Sequence, residues 1–236
     1  TIVTDEWNNA DCDGDGVTNG QETIDGTDPL DACDFDLDNQ DVTIVGDIYL
    51  AADCDGDGVT NGNEIATGTD PNDPCEYDAS IQDVTMVSTL WLALDCDGDG
   101  VSNGTEINDG TNPLDTCDYL EENQDITIVT DEWNNADCDG DGEPNSSDTD
   151  PFNPCAGDTD IVTIPDPTDP NYDVWAAADC DGDGEVNGND PDPYDPCIGG
   201  NIANVNLFDN NSDWYMADCD GDGVTNGIEV DPDMDG

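Results

Sequence analysis

The chain has 236 residues, of which 62 are Asp or Glu and none is Lys, Arg or His, so its formal charge at pH 7 is −62. No side-chain salt bridge can form, and two unit charges about 4 Å apart repel by roughly 1 kcal/mol even in water, so compaction requires cations from outside. The missing residues remove the usual general base, phosphate clamp and cationic nucleophile, and the charge repels nucleic acid and anionic lipid; no enzyme, nucleic-acid binder or directly inserting membrane protein is expected.

Hydrophobic residues make 34% and aromatics 6% of the chain, which predicts no single large core. So polar a chain would ordinarily be disordered, but eleven regularly spaced cysteines imply covalent staples and an oxidising, extracellular compartment. No apolar run approaches the roughly 18 residues of a membrane-spanning helix. No signal peptide is visible and Thr1 is not an initiator, so the sequence reads as a processed or excised piece of something longer.

A repeat organises everything. Asp-Cys-Asp recurs around Cys12, Cys54, Cys96, Cys138, Cys180 and Cys219, in four steps of 42 residues and one of 39. A second series, Cys33, Cys75, Cys117, Cys155 and Cys197, alternates with it, each closing an Asp/Asn-Pro-rich segment. Residues 1–16 reappear unchanged at 127–142. The predicted modules are 1–33, 34–75, 76–117, 118–155, 156–197 and 198–236, and modules this small must stack or follow one another in line.

In chain order the first five modules each carry a β-branched run, predicted as a short strand: Ile2-Val3, Val42–Val45, Val84–Val87, Ile126–Val129 and Ile161–Ile164. An aromatic follows five residues before every loop cysteine: Trp7, Tyr49, Trp91, Trp133, Trp175 and Trp214. These rings could form a carbohydrate platform, but packing on the module's own disulfide and strand as a satellite core is the favoured role.

Then comes a twelve-residue acidic loop, Asp11-Cys-Asp13-Gly-Asp15-Gly16-Val17-Thr-Asn19-Gly-Gln-Glu22 in the first copy. Oxygen donors at positions 1, 3, 5, 9 and 12, a backbone carbonyl at 7 and glycine at 6 follow the donor spacing of an EF-hand-type calcium loop. Calcium is the expected occupant, because it takes six to eight hard oxygens in flexible geometry, whereas zinc prefers nitrogen or sulfur. The corresponding ligand sets are Asp53, Asp55, Asp57, Val59, Asn61 and Glu64; Asp95, Asp97, Asp99, Val101, Asn103 and Glu106; and Asp137, Asp139, Asp141, Glu143, Asn145 and Asp148. The last two are Asp179, Asp181, Asp183, Glu185, Asn187 and Asp190, then Asp218, Asp220, Asp222, Val224, Asn226 and Glu229.

One ion per loop offsets +12 and leaves −50, so more than one ion per repeat is expected. The second acidic cluster offers candidates: Asp28 and Asp31, Asp70 and Asp73, Asn112 and Asp115, Asp150 and Asn153, Asp192 and Asp195. Turn formation by Asp-Pro and Asn-Pro is an equal and compatible role for them. A true EF-hand or dockerin needs a helix of about ten residues leaving the loop. Gly26 and Asp28-Pro29 follow Glu22 too closely for one. Asn-x-Ser/Thr triplets at Asn103, Asn145 and Asn210 are read as chance.

With these features the sequence resembles thrombospondin type 3 repeats in their bacterial form, through DGDGVTNGQETIDGTDPLDAC, DGDGVTNGNEIATGTDPNDPC and DGDGVSNGTEINDGTNPLDTC. The resemblance implies little regular secondary structure, many calcium ions under disulfide restraint, and loop ligands as named above. It also implies a stalk or spacer role in a secreted bacterial surface protein. The expected architecture is therefore a mostly irregular, elongated array of tandem modules with short β-strands. The alternative function is a calcium-dependent adhesin or mineral-binding module. Expected partners are neighbouring copies or flanking segments of the same surface protein, in a filament assembled end to end. Two disulfide patterns fit, Cys12 with Cys33 inside a module or Cys33 with Cys54 between modules. The first is favoured, because the 21- or 17-residue span tracks the loop's length variants.

Overall fold

Each module is a helix, an acidic loop and a turn-rich closure, as seen in a computed structural model that describes residues 4–156, 165–168, 170–201, 203–206 and 211–230. The aromatic of each module lies on a short helical segment. These are α1 (Asp5–Asn8), α3 (Asp47–Ala51), a 3-10 turn at Trp91–Ala93, α6 (Asp131–Asn135), α7 (Tyr172–Ala177) and α8 (Asp213–Met216). Thr4, Thr130 and Ser212 cap three of them by accepting first-turn amide hydrogen bonds, and Asp5, Glu6, Asp131, Glu132 and Asp213 place negative charge where the helix dipole favours it.

A second helix leaves the loop in four modules: α2 (Asn19–Asp25), α4 (Asn61–Thr67), α5 (Asn103–Asp109) and α9 (Asn226–Val230). As expected, Gly26 and Asp28-Pro29 leave no room for a ten-residue helix beyond the loop; the helix that does form is a short one of 7 residues. The helix starts inside the loop, at position 9, so it has completed nearly two turns when Gly26, at φ 89°, ends it in the left-handed conformation. In the fourth and fifth modules the same stretch is a turn. Pro191 follows Asp190 directly and Pro151 follows close behind Asp148, and a residue before proline is driven out of the helical region.

The two helices of a module cross closely because position 10 is glycine. A Cβ on Gly104 would lie 2.8 Å from the Leu92 carbonyl oxygen, and Gly20 and Gly62 meet Asn8 and Leu50 in the same way. Gly104→Ala is therefore expected to destabilise its module by about 1–3 kcal/mol, measurable by thermal melting in saturating calcium.

No strand occurs among the described residues, which corrects the predicted strands at Val42–Val45, Val84–Val87 and Ile126–Val129; Ile2-Val3 and Ile161–Ile164 lie outside the described residues. The β-branched side chains carry the strand signal, but no second segment offers a ladder. Asp41 instead captures its own turn, accepting from the amide and the hydroxyl of Thr43 at 3.0 and 2.6 Å. Val42 and Ile44 are exposed. Asp83 with Thr85 and Asp125 with Thr127 repeat the arrangement.

The disulfides join successive modules: Cys33–Cys54, Cys75–Cys96, Cys155–Cys180 and Cys197–Cys219. Cys117 and Cys138 are disulfide-bonded too, and Cys12 is free. The favoured within-module pairing of Cys12 with Cys33 is thus overturned, because the closing turn lies against the next module's loop rather than its own. Removing the Cys75–Cys96 bridge, which closes a 21-residue segment, is expected to cost about 2–4 kcal/mol in a denaturant titration of the Cys75→Ser/Cys96→Ser variant.

Residues Thr1–Ile128 and Val129–Gly236 form two units, and each is built from small clusters around an aromatic. Tyr49, Trp91, Trp133, Trp175 and Trp214 are buried, as are the position-7 side chains Val17, Val59 and Val101. Trp91 packs with Val59 and Tyr77, its ring 6.0 Å from that of Tyr77 and near perpendicular to it. Phe35 meets Tyr49 in the same way at 5.8 Å. Five of the six rings are therefore core, as expected, whereas Trp7 is exposed; Tyr49 and Trp91 pack on the preceding module's closing segment instead of a strand.

Candidate metal centre

The loop is shaped by its own carboxylates. Asp11 accepts from the amides of Gly14 and Gly16 at 2.7 and 3.1 Å, bending the backbone through two glycines at φ 81° and 91°. A side chain is strained at such angles, so glycine is required there. Asp13 accepts from the Asp15 amide and Asp15 from the Val17 amide. Equivalent bonds recur from Asp53, Asp95, Asp137, Asp179 and Asp218 to the glycine amides of their own loops.

This folding brings one carboxylate oxygen each of Asp11, Asp13 and Asp15 within 4.8 Å of one another, and does the same for Asp53, Asp55, Asp57; Asp95, Asp97, Asp99; Asp137, Asp139, Asp141; and Asp179, Asp181, Asp183. The helix starting at position 9 places Glu22, Glu64 and Glu106 in its first turn, fully buried. Both carboxylate oxygens of each of these glutamates are buried without a hydrogen-bond partner. So is the Oδ2 atom of Asp13, Asp15, Asp55, Asp57, Asp97, Asp99, Asp139, Asp148, Asp181, Asp183 and Asp190. A buried carboxylate oxygen with no donor is costly, and several in one loop are untenable without a cation.

The acids register this strain in their protonation. Burial, then the charge of Asp13, pushes Glu22 up to about 7; Glu64 reaches about 8 and Glu106 about 9 by burial and the aspartates of their loops. Burial likewise raises Asp55, Asp97, Asp139 and Asp181 to about 7, and Asp15, Asp57, Asp99 and Asp141 to about 6. A hard divalent ion meets this donor set, all of it oxygen. The residues present therefore fit calcium, held by positions 1, 3, 5 and 12.

The position-9 asparagines have other partners. Asn19 Oδ1 accepts from the Cys12 amide at 3.1 Å, and its Nδ2 donates toward the Cys12 sulfur. Asn103, Asn145, Asn187 and Asn226 also donate to the carbonyl of their module's tryptophan at 2.9–3.0 Å. Asn61 bonds Cys54 as Asn19 bonds Cys12. This residue ties loop to aromatic helix, and its oxygen is not among those left unpartnered. At position 7 the Val59 and Val101 amides donate to Asp57 and Asp99, and those of Glu143 and Glu185 to Asp141 and Asp183.

The second acidic cluster takes the turn role, with one side-chain oxygen engaged in most of its residues. Asp28, Asp31, Asp70, Asp73, Asn112, Asp115, Asn153 and Asp195 each accept from an amide two residues on. All but Asp195 are exposed. The amides of Asp150 and Asp192 donate to Asp148 and Asp190.

One contributor escaped sequence reasoning. The linker after each of the first three loops folds back over it: the Gln40 side chain donates to the Asp15 carbonyl at 2.9 Å, and the amides of Asp41 and Gly46 donate to Gly16 and Gly14. Gln82 and Gln124 do the same for Asp57 and Asp99, at 2.6 and 2.7 Å. Their 42-residue recurrence before Asp was the signal available. Asn171 reaches Asp137, and Asn204 reaches Gly184, in the later modules. In the sixth loop Asp218, Asp220, Asp222, Val224 and Glu229 are exposed, and none of the described residues covers them.

Residues 11–32, 53–74, 95–116 and 218–231 match the family model of the bacterial TSP3 repeat. TSP3 repeats are structural calcium-binding modules and not an enzyme family. The fourth and fifth loops lie outside the matched segments. No curated protein and no solved structure matches the chain.

Proposed function

The chain carries bacterial thrombospondin type 3 repeats at four positions, and we propose that it is a calcium-rigidified spacer, a stalk or filament segment of a bacterial surface protein outside the cell. The observation that carries this reading is the set of buried, partnerless carboxylate oxygens in five successive loops. Without ions those loops repel; with ions each becomes a cross-link. Two features carry the rigidity from module to module. The disulfides bridge consecutive modules, and the linker lies on the preceding loop through backbone and glutamine hydrogen bonds.

An adhesin that binds carbohydrate on stacked rings is less well supported, since five of the six aromatics are buried in the core. Extracellular sites of this class bind calcium at roughly 10⁻⁴ to 10⁻³ M, so they stay filled outside the cell instead of sensing. Small-angle X-ray scattering of the oxidised chain in millimolar calcium is expected to give a rod-like profile that collapses to a flexible coil on chelation. A profile that is globular in calcium would refute the spacer.

A further inference from the structure

Ten of the eleven cysteines are in disulfides, and the exception, Cys12, is exposed. It occupies the loop position that in Cys54, Cys96, Cys180 and Cys219 is bonded to the closing cysteine of the module before. At those junctions the residue preceding the closing cysteine sets its carbonyl oxygen 3.5–3.8 Å from the loop sulfur, through Ala32, Pro74, Pro154 and Pro196. Two residues past the closing cysteine, Phe35 and Tyr77 lay their rings edge-on against Tyr49 and Trp91. The Trp91 indole also donates to the Pro74 carbonyl at 2.9 Å.

In the first module the same two features are vacant together. Trp7 is 39% exposed, whereas Tyr49 and Trp91 are 0% exposed. Every closing cysteine of the chain is already bonded, so none of them can reach Cys12.

We propose that Trp7 and Cys12 form a docking face for the closing turn of a further module of this type, one that brings a cysteine not paired with another module, followed by an acid and an aromatic. The aromatic ring covers Trp7 and the cysteine joins Cys12. This rests on the spacer reading and specifies its partner: a turn of the chemistry Pro-Cys-Glu-Tyr, as at residues 74–77. The oxidising equivalent comes from a partner cysteine held as a mixed disulfide with a small thiol. The Cys12 sulfur bonds to the partner's sulfur, the mixed disulfide breaks, and the small thiol leaves with the proton.

The test uses the full chain in millimolar calcium and a synthetic peptide with the sequence of residues 70–78, its cysteine held as a disulfide with 2-thiopyridine. Release of 2-thiopyridone is followed against a scrambled peptide of identical composition. Ring packing of this kind predicts about a three- to tenfold faster reaction for the ordered sequence. Trp7→Ala, at an exposed position, should erase that preference while leaving reaction with the scrambled peptide unchanged. Equal rates for the two peptides, or a preference that survives Trp7→Ala, would overturn the proposal. Calcium-dependent near-ultraviolet circular dichroism of the same samples reports the spacer reading separately. A calcium response without peptide preference defeats the docking face alone, whereas preference without a calcium response supports the docking face and defeats the spacer.

Discussion

Glu106→Gln is expected to act in opposite directions with and without calcium. Both carboxylate oxygens of Glu106 are buried without a hydrogen-bond partner, among Asp95, Asp97 and Asp99. In chelator that charge opposes folding, so the neutral amide of similar volume should raise the melting temperature of the third module. In calcium the same carboxylate closes the ion's coordination, and its loss should weaken that loop by about a hundredfold or more, beyond the effect known for ligand-supporting residues. Calcium titration by isothermal calorimetry, with thermal melts in chelator, measures both signs. A variant less stable than the parent in both conditions would mean that Glu106 serves packing and not an ion.

The pH dependence should invert in the same way. Glu22, Glu64 and Glu106 stand at about 7, 8 and 9 in the folded chain against an ordinary value of 4.5, raised first by burial and then by neighbouring aspartates. A carboxyl whose folded value is raised contributes stability that is complete below its unfolded value and is lost as pH climbs through the folded one. In chelator the chain should therefore be most ordered near pH 4 and lose order progressively up to about pH 9. In calcium the ion replaces the proton, so acidification from pH 7 to 5 should release calcium and lower stability. Far-ultraviolet circular dichroism over pH, with and without chelator, gives both curves. Parallel curves would contradict the assignment of these acids to a cation.

The loops were legible because their chemistry is local. Alternate aspartates reach a common point only if glycines allow the turn, and Asp13, Gly14, Asp15 and Gly16 state both conditions within four residues. The position-12 glutamate was legible for the same reason. What depended on distant partners was not. Val42 and Ile44 look like strand, yet a strand exists only where a second one pairs with it; Asp41 and Thr43 close a turn instead. The long exit helix is absent as read, but the short helix Asn19–Asp25 was not foreseen, because room for it was counted from Glu22 when the backbone is already helical from Asn19. Asn19 read as a ligand by position; that its oxygen also accepts from the Cys12 amide, seven residues back, was not legible from spacing. The disulfide pattern was ambiguous because spans of 21 residues serve either pairing; the aromatic contacts Phe35–Tyr49 and Tyr77–Trp91 decide it by drawing each closing turn onto the next module.

The linkers give the array a direction. Each loop from the first to the fifth is contacted by the segment that follows it, so filling a loop also fixes the entry to the next module. Ordering of neighbouring loops should accordingly be coupled, most directly where Gln40, Gln82 and Gln124 bond the loop carbonyls.

The most direct test of the account is the number of calcium ions held by the oxidised chain, counted by equilibrium dialysis in millimolar calcium against a magnesium background. The account predicts at least six ions per chain, one for each acidic loop, with one fewer in Glu106→Gln. A chain that binds no calcium under these conditions, or whose Glu106→Gln variant keeps the full number, would contradict it.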